Sequence, residues 1–190
     1  MTTRNIFLSG VGGQGVILAG EILCLGLMEA GFDVKKSEVH GMAQRGGSVT
    51  SHVRYGEKVY SPLIPQGESD ILLAFEALEG LRWLGFVKQS GLVLINCQEI
   101  KPTTVTSGRM KYPEKIYDLI REKHANTRVI DALEIARQAG SDRALNSVLV
   151  GAVSRELEVP ESTWKRVISR KFPKKLVDVN WRAFDLGRAA

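Results

Sequence analysis

The chain reads as a three-layer α/β/α fold around a mostly parallel, mixed sheet, with a helical extension at its C-terminal end. Three observations predict this. A short apolar run at residues 5–9 meets the glycine-rich stretch GVGGQG at 10–15, which passes at once into a helical pattern. Apolar segments of strand length then alternate with helical ones along most of the chain. Residues 48–55 break that rhythm: they alternate strictly and are followed by the turn-like Tyr55-Gly-Glu-Lys58, which predicts an antiparallel hairpin inside the sheet.

The elements follow in order. Residues 16–30 place Val16, Ile17, Ala19, Ile22, Leu23 and Leu27 at helical spacing, and Gly31 supplies a stop. Residues 33–39 alternate as a second strand, so the opening is a strand–helix–strand unit and predicts parallel strands, a Rossmann-like start. The polar loop 40–47 leads into the strand at 48–55, whose predicted hairpin partner is Val59-Tyr60-Ser61. Residues 69–75 and 91–97 read as buried strands, with a helix at 76–86 between them. Residues 101–113, rich in Thr, Ser, Gly and Pro, read as irregular or edge structure. A helix at 114–123, a strand at 128–130 and a helix at 131–139 follow. Helices at 147–157 and 161–172 are divided by Pro160, and 174–190 is amphipathic and basic with Trp181 and Phe184 as anchors. This is one domain over residues 1–190, of which about 145–190 form the helical extension.

Composition narrows the function. A hydrophobic fraction of 44% with 25% charged residues suits a soluble globular core. The formal charge of +5 admits an acidic partner, an anionic substrate, nucleic acid or a solvated surface. The basic residues Lys165, Arg166, Arg170, Lys171, Lys174 and Lys175 lack interleaved aromatics, which argues against nucleic acid. Cys24 and Cys97 sit in apolar runs and read as small buried hydrophobes of a reducing compartment. Two cysteines cannot ligate an iron–sulfur cluster, and His40, His52 and His124 show no metal spacing, so no metal site is expected on this chain. His52, within a strand, reads as structural. No apolar run reaches membrane-spanning length, and the expectation is a cytoplasmic protein.

Two segments carry candidate chemistry. Gly10, Gly12, Gly13, Gln14 and Gly15 match the letters of a dinucleotide fingerprint between a strand and a helix, where a helix N-terminus favours an anion. Glu38, at the end of the second strand, would then be the ribose-binding acid. The same glycines also suit close packing of helix on sheet, and a stand-alone Rossmann-like nucleotide-binding protein is the alternative reading. The loop from His40 to Ser48 places Gln44 and Arg45 beside Gly46, Gly47 and Ser48. That is either an anion-binding concavity or a glycine turn facing water. There is no Walker A lysine motif, no nucleophile elbow and no diphosphate–magnesium segment of the thiamine type.

Taken together, residues 10–15, the run KSEVHGMAQRGGS at 36–48 and YSPLIP at 60–65 resemble the gamma-type catalytic domain of 2-oxoacid:ferredoxin oxidoreductases. Within that family the likeness is to the small beta subunit of the indolepyruvate type. It is strongest over the first hundred residues and continues through 70–76 and 92–96. The resemblance implies a subunit that binds no cofactor alone. Thiamine diphosphate, Mg²⁺ and [4Fe-4S] clusters would belong to a large partner subunit carrying a ferredoxin domain. Coenzyme A would be cosubstrate and ferredoxin the electron acceptor, in oxidative decarboxylation of an aryl 2-oxoacid. Under that reading His40, Gln44 and Arg45 approach a shared active site or the interface. Gly10, Gly12, Gly13, Gln14, Gly15, Gly46, Gly47 and Ser48 form the adjoining binding surface. Homodimer contacts within a hetero-oligomer are also admitted.

Overall fold

The computed structural model describes residues 3–40 and 47–190, with His40 described in its backbone only. Strand β1 (Arg4–Val11) is buried on both faces, which is why it reads as a nearly continuous apolar run. Helix α1 (Val16–Glu29) follows the glycine turn, then strands β2 (Asp33–His40) and β3 (Ser48–Gly56). Next come β4 (Ser69–Ala74), α2 (Ala77–Trp83) with a short 3₁₀ turn, and β5 (Val87–Asn96). A one-turn helix α3 (Thr103–Thr106), α4 (Ile116–Lys123), β6 (Thr127–Ile130) and α5 (Ala132–Ala139) complete the sheet region. Three helices end the chain: α6 (Leu145–Ser154), α7 (Glu161–Lys171) and α8 (Lys174–Ala189).

The six strands lie in the order β2-β3-β1-β4-β5-β6, with β3 antiparallel to both its neighbours and the other pairings parallel. The mixed sheet is as the sequence predicts, but its details differ in two ways. Strand β2 runs in the same direction as β1 yet does not touch it, because β3 pairs with β1 (Arg4↔Tyr55 to Val11↔Ser48) and with β2 (Asp33↔Gly56 to His40↔Val49). The hairpin partner of β3 is therefore β2 and not residues 59–61. After Gly56 the backbone is held by side chains: Val59 N–H donates to Asp33 Oδ2 at 3.0 Å and Ile64 N–H to His52 Nδ1 at 3.1 Å. Pro62 and Pro65 carry no N–H for a ladder, so the apolar residues Val59 and Ile64 anchor a loop instead of forming a strand.

Helices cover both faces. On one, α1 and α5–α8 enclose a core with Leu8, Leu23, Val148, Trp164 and Phe184. On the other, α2 and α4 cover Phe7, Leu72, Val93, Ile116 and Ile120. The helices that read as an extension thus share one core with α1 and the sheet. Phe184 is buried, and half-buried Trp181 donates from Nε1 to Lys165 O at 3.1 Å. Helices α6 and α8 cross at backbone contact: a Cβ on Gly187 would stand 2.0 Å from Val148 O, and one on Gly151 2.2 Å from Phe184 O.

The basic face of α7 is largely answered within the molecule. Arg166 and Arg170 both pair with Glu29, Lys171 pairs with Glu21, and Lys165 bridges Glu161 and Asp185. The hydrogen bond from Lys171 holds the Glu21 carboxyl below its ordinary pKa. Such exposed pairs orient α7 on α1 more than they stabilise it.

His52 is structural, as its strand position predicts. Its ring lies edge-on to Phe7 at 4.7 Å, and Nδ1 must be unprotonated to accept from Ile64. Burial pushes its pKa below the ordinary 6.5. The unfolded chain then takes up a proton at higher pH than the folded chain. The contribution is complete above about pH 6.5 and is lost as pH falls from there through the lowered folded value. Urea unfolding midpoints should therefore drop between pH 7 and pH 5. The drop should shrink in His52→Gln, whose carbonyl can accept the same N–H without titrating.

Candidate functional site at the carboxyl ends of the strands

Helix α1 leaves β1 toward one face of the sheet and α2 leaves β4 toward the other. The carboxyl ends of β1 and β4 therefore diverge into a crevice, the usual ligand position in an open α/β sheet. The glycine turn forms one wall. Gly15 is the N-cap of α1 in the left-handed region (φ 82°), with no side-chain cap and no acidic residue in the first helical turn. A Cβ there would meet Asn146 Nδ2 at 2.1 Å as well as straining the backbone. Gln14 locks the turn: its Oε1 accepts from Val11 N–H at 2.7 Å, and its Nε2 donates to Phe75 O and Gln98 Oε1, both at 2.9 Å. Asn96 Nδ2 donates to the same two acceptors, and Asn96 Oδ1 caps Ala132 N–H at 3.1 Å. One side-chain amide network thus ties the ends of β1, β4 and β5 together.

Two clefts flank this network. The larger, about 570 Å³, is bounded by Gly12, Gly13, Gln14, Gly15, Gln98, Ile100, Asp142, Arg143 and Asn146. Asp142 is engaged by Arg137 at 3.3 Å. Arg143 and the uncapped end of α1 remain as the electropositive features of this wall. The smaller cleft, about 140 Å³, lies beside Ser48, Glu76, Glu79, Arg82 and Lys101. Glu76 and Glu79 are both buried. Glu76 Oε2 caps α2 at Glu79 N–H (2.8 Å), while Oε1 accepts from Ile100 N–H (3.0 Å) and Tyr112 O–H (2.8 Å). Burial and this hydrogen bond to Glu76 push the Tyr112 phenol well above its ordinary pKa, so it stays the donor. Glu79 accepts from Ser48 Oγ at 2.5 Å and Trp83 Nε1 at 3.2 Å, and pairs with Arg82 at 3.1 Å.

Of the residues singled out in the sequence, Gly12, Gly13, Gln14 and Gly15 line the larger cleft, while Gly10 stands in β1 opposite Val49 beneath the turn. Gly47 O accepts from Gly12 N–H at 2.8 Å and Ser48 lines the smaller cleft, so the second segment does meet the glycine turn. The backbone of His40 pairs with Val49 at the end of β2; Gln44, Arg45 and Gly46 lie outside the described residues. Glu38 is not placed as a ribose-binding acid. It pairs with Lys36 at 2.7 Å on β2, a full strand spacing beyond the neighbour of β1. Cys97 is exposed, not a buried hydrophobe, because β5 ends at Asn96; Cys24 is buried as expected. Sequence reasoning missed Asn96, Gln98, Glu79, Tyr112 and Asn146. The pair Glu76-x-x-Glu79 just after an apolar strand was a readable helix-start signal.

Cys24 is buried in the helical layer and Cys97 is at a strand end. Among the described residues no group of three His, Cys, Asp or Glu could hold an ion. Nor is any described helix long and apolar enough to cross a membrane.

Residues 5–190 match the family model described as pyruvate ferredoxin/flavodoxin oxidoreductase. The chain belongs to that family. It is 41% identical to indolepyruvate oxidoreductase subunit IorB of Pyrococcus horikoshii and 40% identical to that of Thermococcus kodakarensis, in both cases over 98% of this chain and 95% of the relative. The crystal structure of pyruvate oxidoreductase subunit PORC from Thermotoga maritima superposes with a TM-score of 0.75, covering 100% of this chain and 97% of that one at 22% identity. The insertion of β3 between β1 and β2 sets this sheet apart from nucleotide domains in which the second strand adjoins the first.

Proposed function

We propose that the chain, acting as one domain over residues 1–190, is the small subunit of an indolepyruvate-type 2-oxoacid:ferredoxin oxidoreductase. The carrying observation is its near-full-length similarity to indolepyruvate oxidoreductase subunits of matching length. In this reading a large subunit supplies thiamine diphosphate, Mg²⁺ and [4Fe-4S] clusters, and the cytoplasmic complex oxidatively decarboxylates aryl 2-oxoacids with coenzyme A and ferredoxin. The bound thiamine cofactor would supply the decarboxylation chemistry. The contribution of this chain is to bind and orient. The uncapped N-terminus of α1, Asn146 and Arg143 suit an anionic group such as a coenzyme A phosphate. His40, Gln44 and Arg45, with Gly46, Gly47 and Ser48, would face the shared active site or the subunit interface.

Co-expression with the large subunit and assay on a panel of 2-oxoacids tests this reading. Aryl pyruvates should be turned over faster than pyruvate or branched-chain acids; a preference for pyruvate would overturn the indolepyruvate assignment. Calorimetry on the isolated chain should show no tight NAD binding, and a tight site would restore the nucleotide-binding alternative. Arg45→Ala should lower the activity of the complex about tenfold or more while leaving its melting temperature nearly unchanged. Full activity would remove Arg45 from the active site, and failed assembly would move it to the interface.

A further inference from the structure

Between the end of β5 and α4 the chain makes an excursion whose base is closed by one carboxylate. Glu76 Oε1 accepts from Ile100 N–H on the outgoing side and from the Tyr112 hydroxyl on the returning side. The excursion is folded within itself. Val105 and Thr106 N–H donate to Pro102 O at 2.9 and 3.0 Å, Gly108 turns the chain at φ 75°, and Met110 N–H returns to Thr104 O at 3.0 Å. Residues 100–112 contain Lys101, Arg109 and Lys111 and no acidic residue, so they carry +3 of the chain's formal +5.

This charge differs in kind from that of α7, whose cations are answered by Glu21, Glu29, Glu161 and Asp185. Among the described residues no ion pair involves Lys101, Arg109 or Lys111. Met110, between two of these cations, is 62% exposed. Lys101 borders the smaller cleft, whereas Arg109, Met110 and Lys111 stand out on the surface. Cations converging on a pocket would suit a small anion. Cations spread around an exposed apolar side chain on a folded loop suit an opposing protein surface with a charged rim and an apolar centre.

We propose that residues 100–112 are a docking arm for an acidic, apolar-centred surface of the companion large subunit, set beside the crevice by the Glu76 clamp. The proposal rests on the reading of this chain as a small subunit. Its test is the dissociation constant of the two subunits at about 50 mM and about 300 mM salt. Wild type should bind tightly and weaken with salt. The triple variant K101Q/R109E/K111E, which sets no new carboxylate beside Glu76 and Glu79, should raise the low-salt constant about tenfold or more and flatten the salt dependence, with its melting temperature unchanged because these cations have no ion-pair partner among the described residues to lose. The reversal K174E/K175E on α8 should leave both constants as in wild type. Equal affinity of the triple variant and wild type would overturn the arm. So would a triple variant that assembles normally but loses coenzyme A binding, which would make the arm a small-anion site. If wild type fails to bind the large subunit at all, the small-subunit reading itself fails.

Discussion

Replacing Gly187 with alanine lowers the unfolding free energy by about 2–3 kcal/mol, although alanine favours a helix by about 1 kcal/mol over glycine. The new Cβ would stand 2.0 Å from Val148 O and 2.8 Å from Val148 Cα. These are backbone atoms of a packed helix, so relief requires α6 and α8 to separate. That separation loosens Phe184 and Val148, which lie in the same core as α1. Urea unfolding should show a lower midpoint with an unchanged slope. A midpoint at or above wild type would mean that the α6–α8 contact does not hold the C-terminal helices in place.

Glu76→Ala has an effect of similar size by a different route, about 3 kcal/mol. It removes the cap of α2 and orphans three donors at once: Glu79 N–H, Ile100 N–H and the Tyr112 hydroxyl. Glu76→Gln is milder, since its carbonyl oxygen still caps α2 while its amide N–H₂ opposes the donors of Ile100 and Tyr112. Tyrosine absorbance during alkaline titration gives a second readout. Wild type keeps Tyr112 un-ionised to unusually high pH, through burial first and the Glu76 hydrogen bond second. In Glu76→Ala its ionisation should move down toward that of an ordinary tyrosine. Unchanged stability and unchanged Tyr112 titration together would show that the clamp is dispensable.

Much of this architecture is legible in the sequence because its elements carry local signals. Strands β1, β4 and β5 are apolar runs, α1 is bracketed by Gly15 and Gly31, and the amphipathic α8 shows its anchors. What is not legible is pairing. Nothing local in residues 48–56 says that they insert between β1 and β2; that choice is made by two registers formed over long separations. Val59 misleads because burial of an apolar side chain does not require a ladder. The side chains of Asp33 and His52 take up the loop's N–H groups instead. The same limit applies at the site. The glycine turn is visible in its letters, whereas the Gln14–Asn96–Gln98 network exists only once three strand ends are brought side by side. Glu38 was legible as an acid at a strand end, but its strand lies one place too far out.

The most direct measurement is to titrate this chain into the purified large subunit and follow ferredoxin reduction with indolepyruvate and coenzyme A. The large subunit alone should give little or no reduction, and the rate should rise to saturation at a fixed subunit ratio. Full-rate reduction by the large subunit in the absence of this chain would contradict the small-subunit reading.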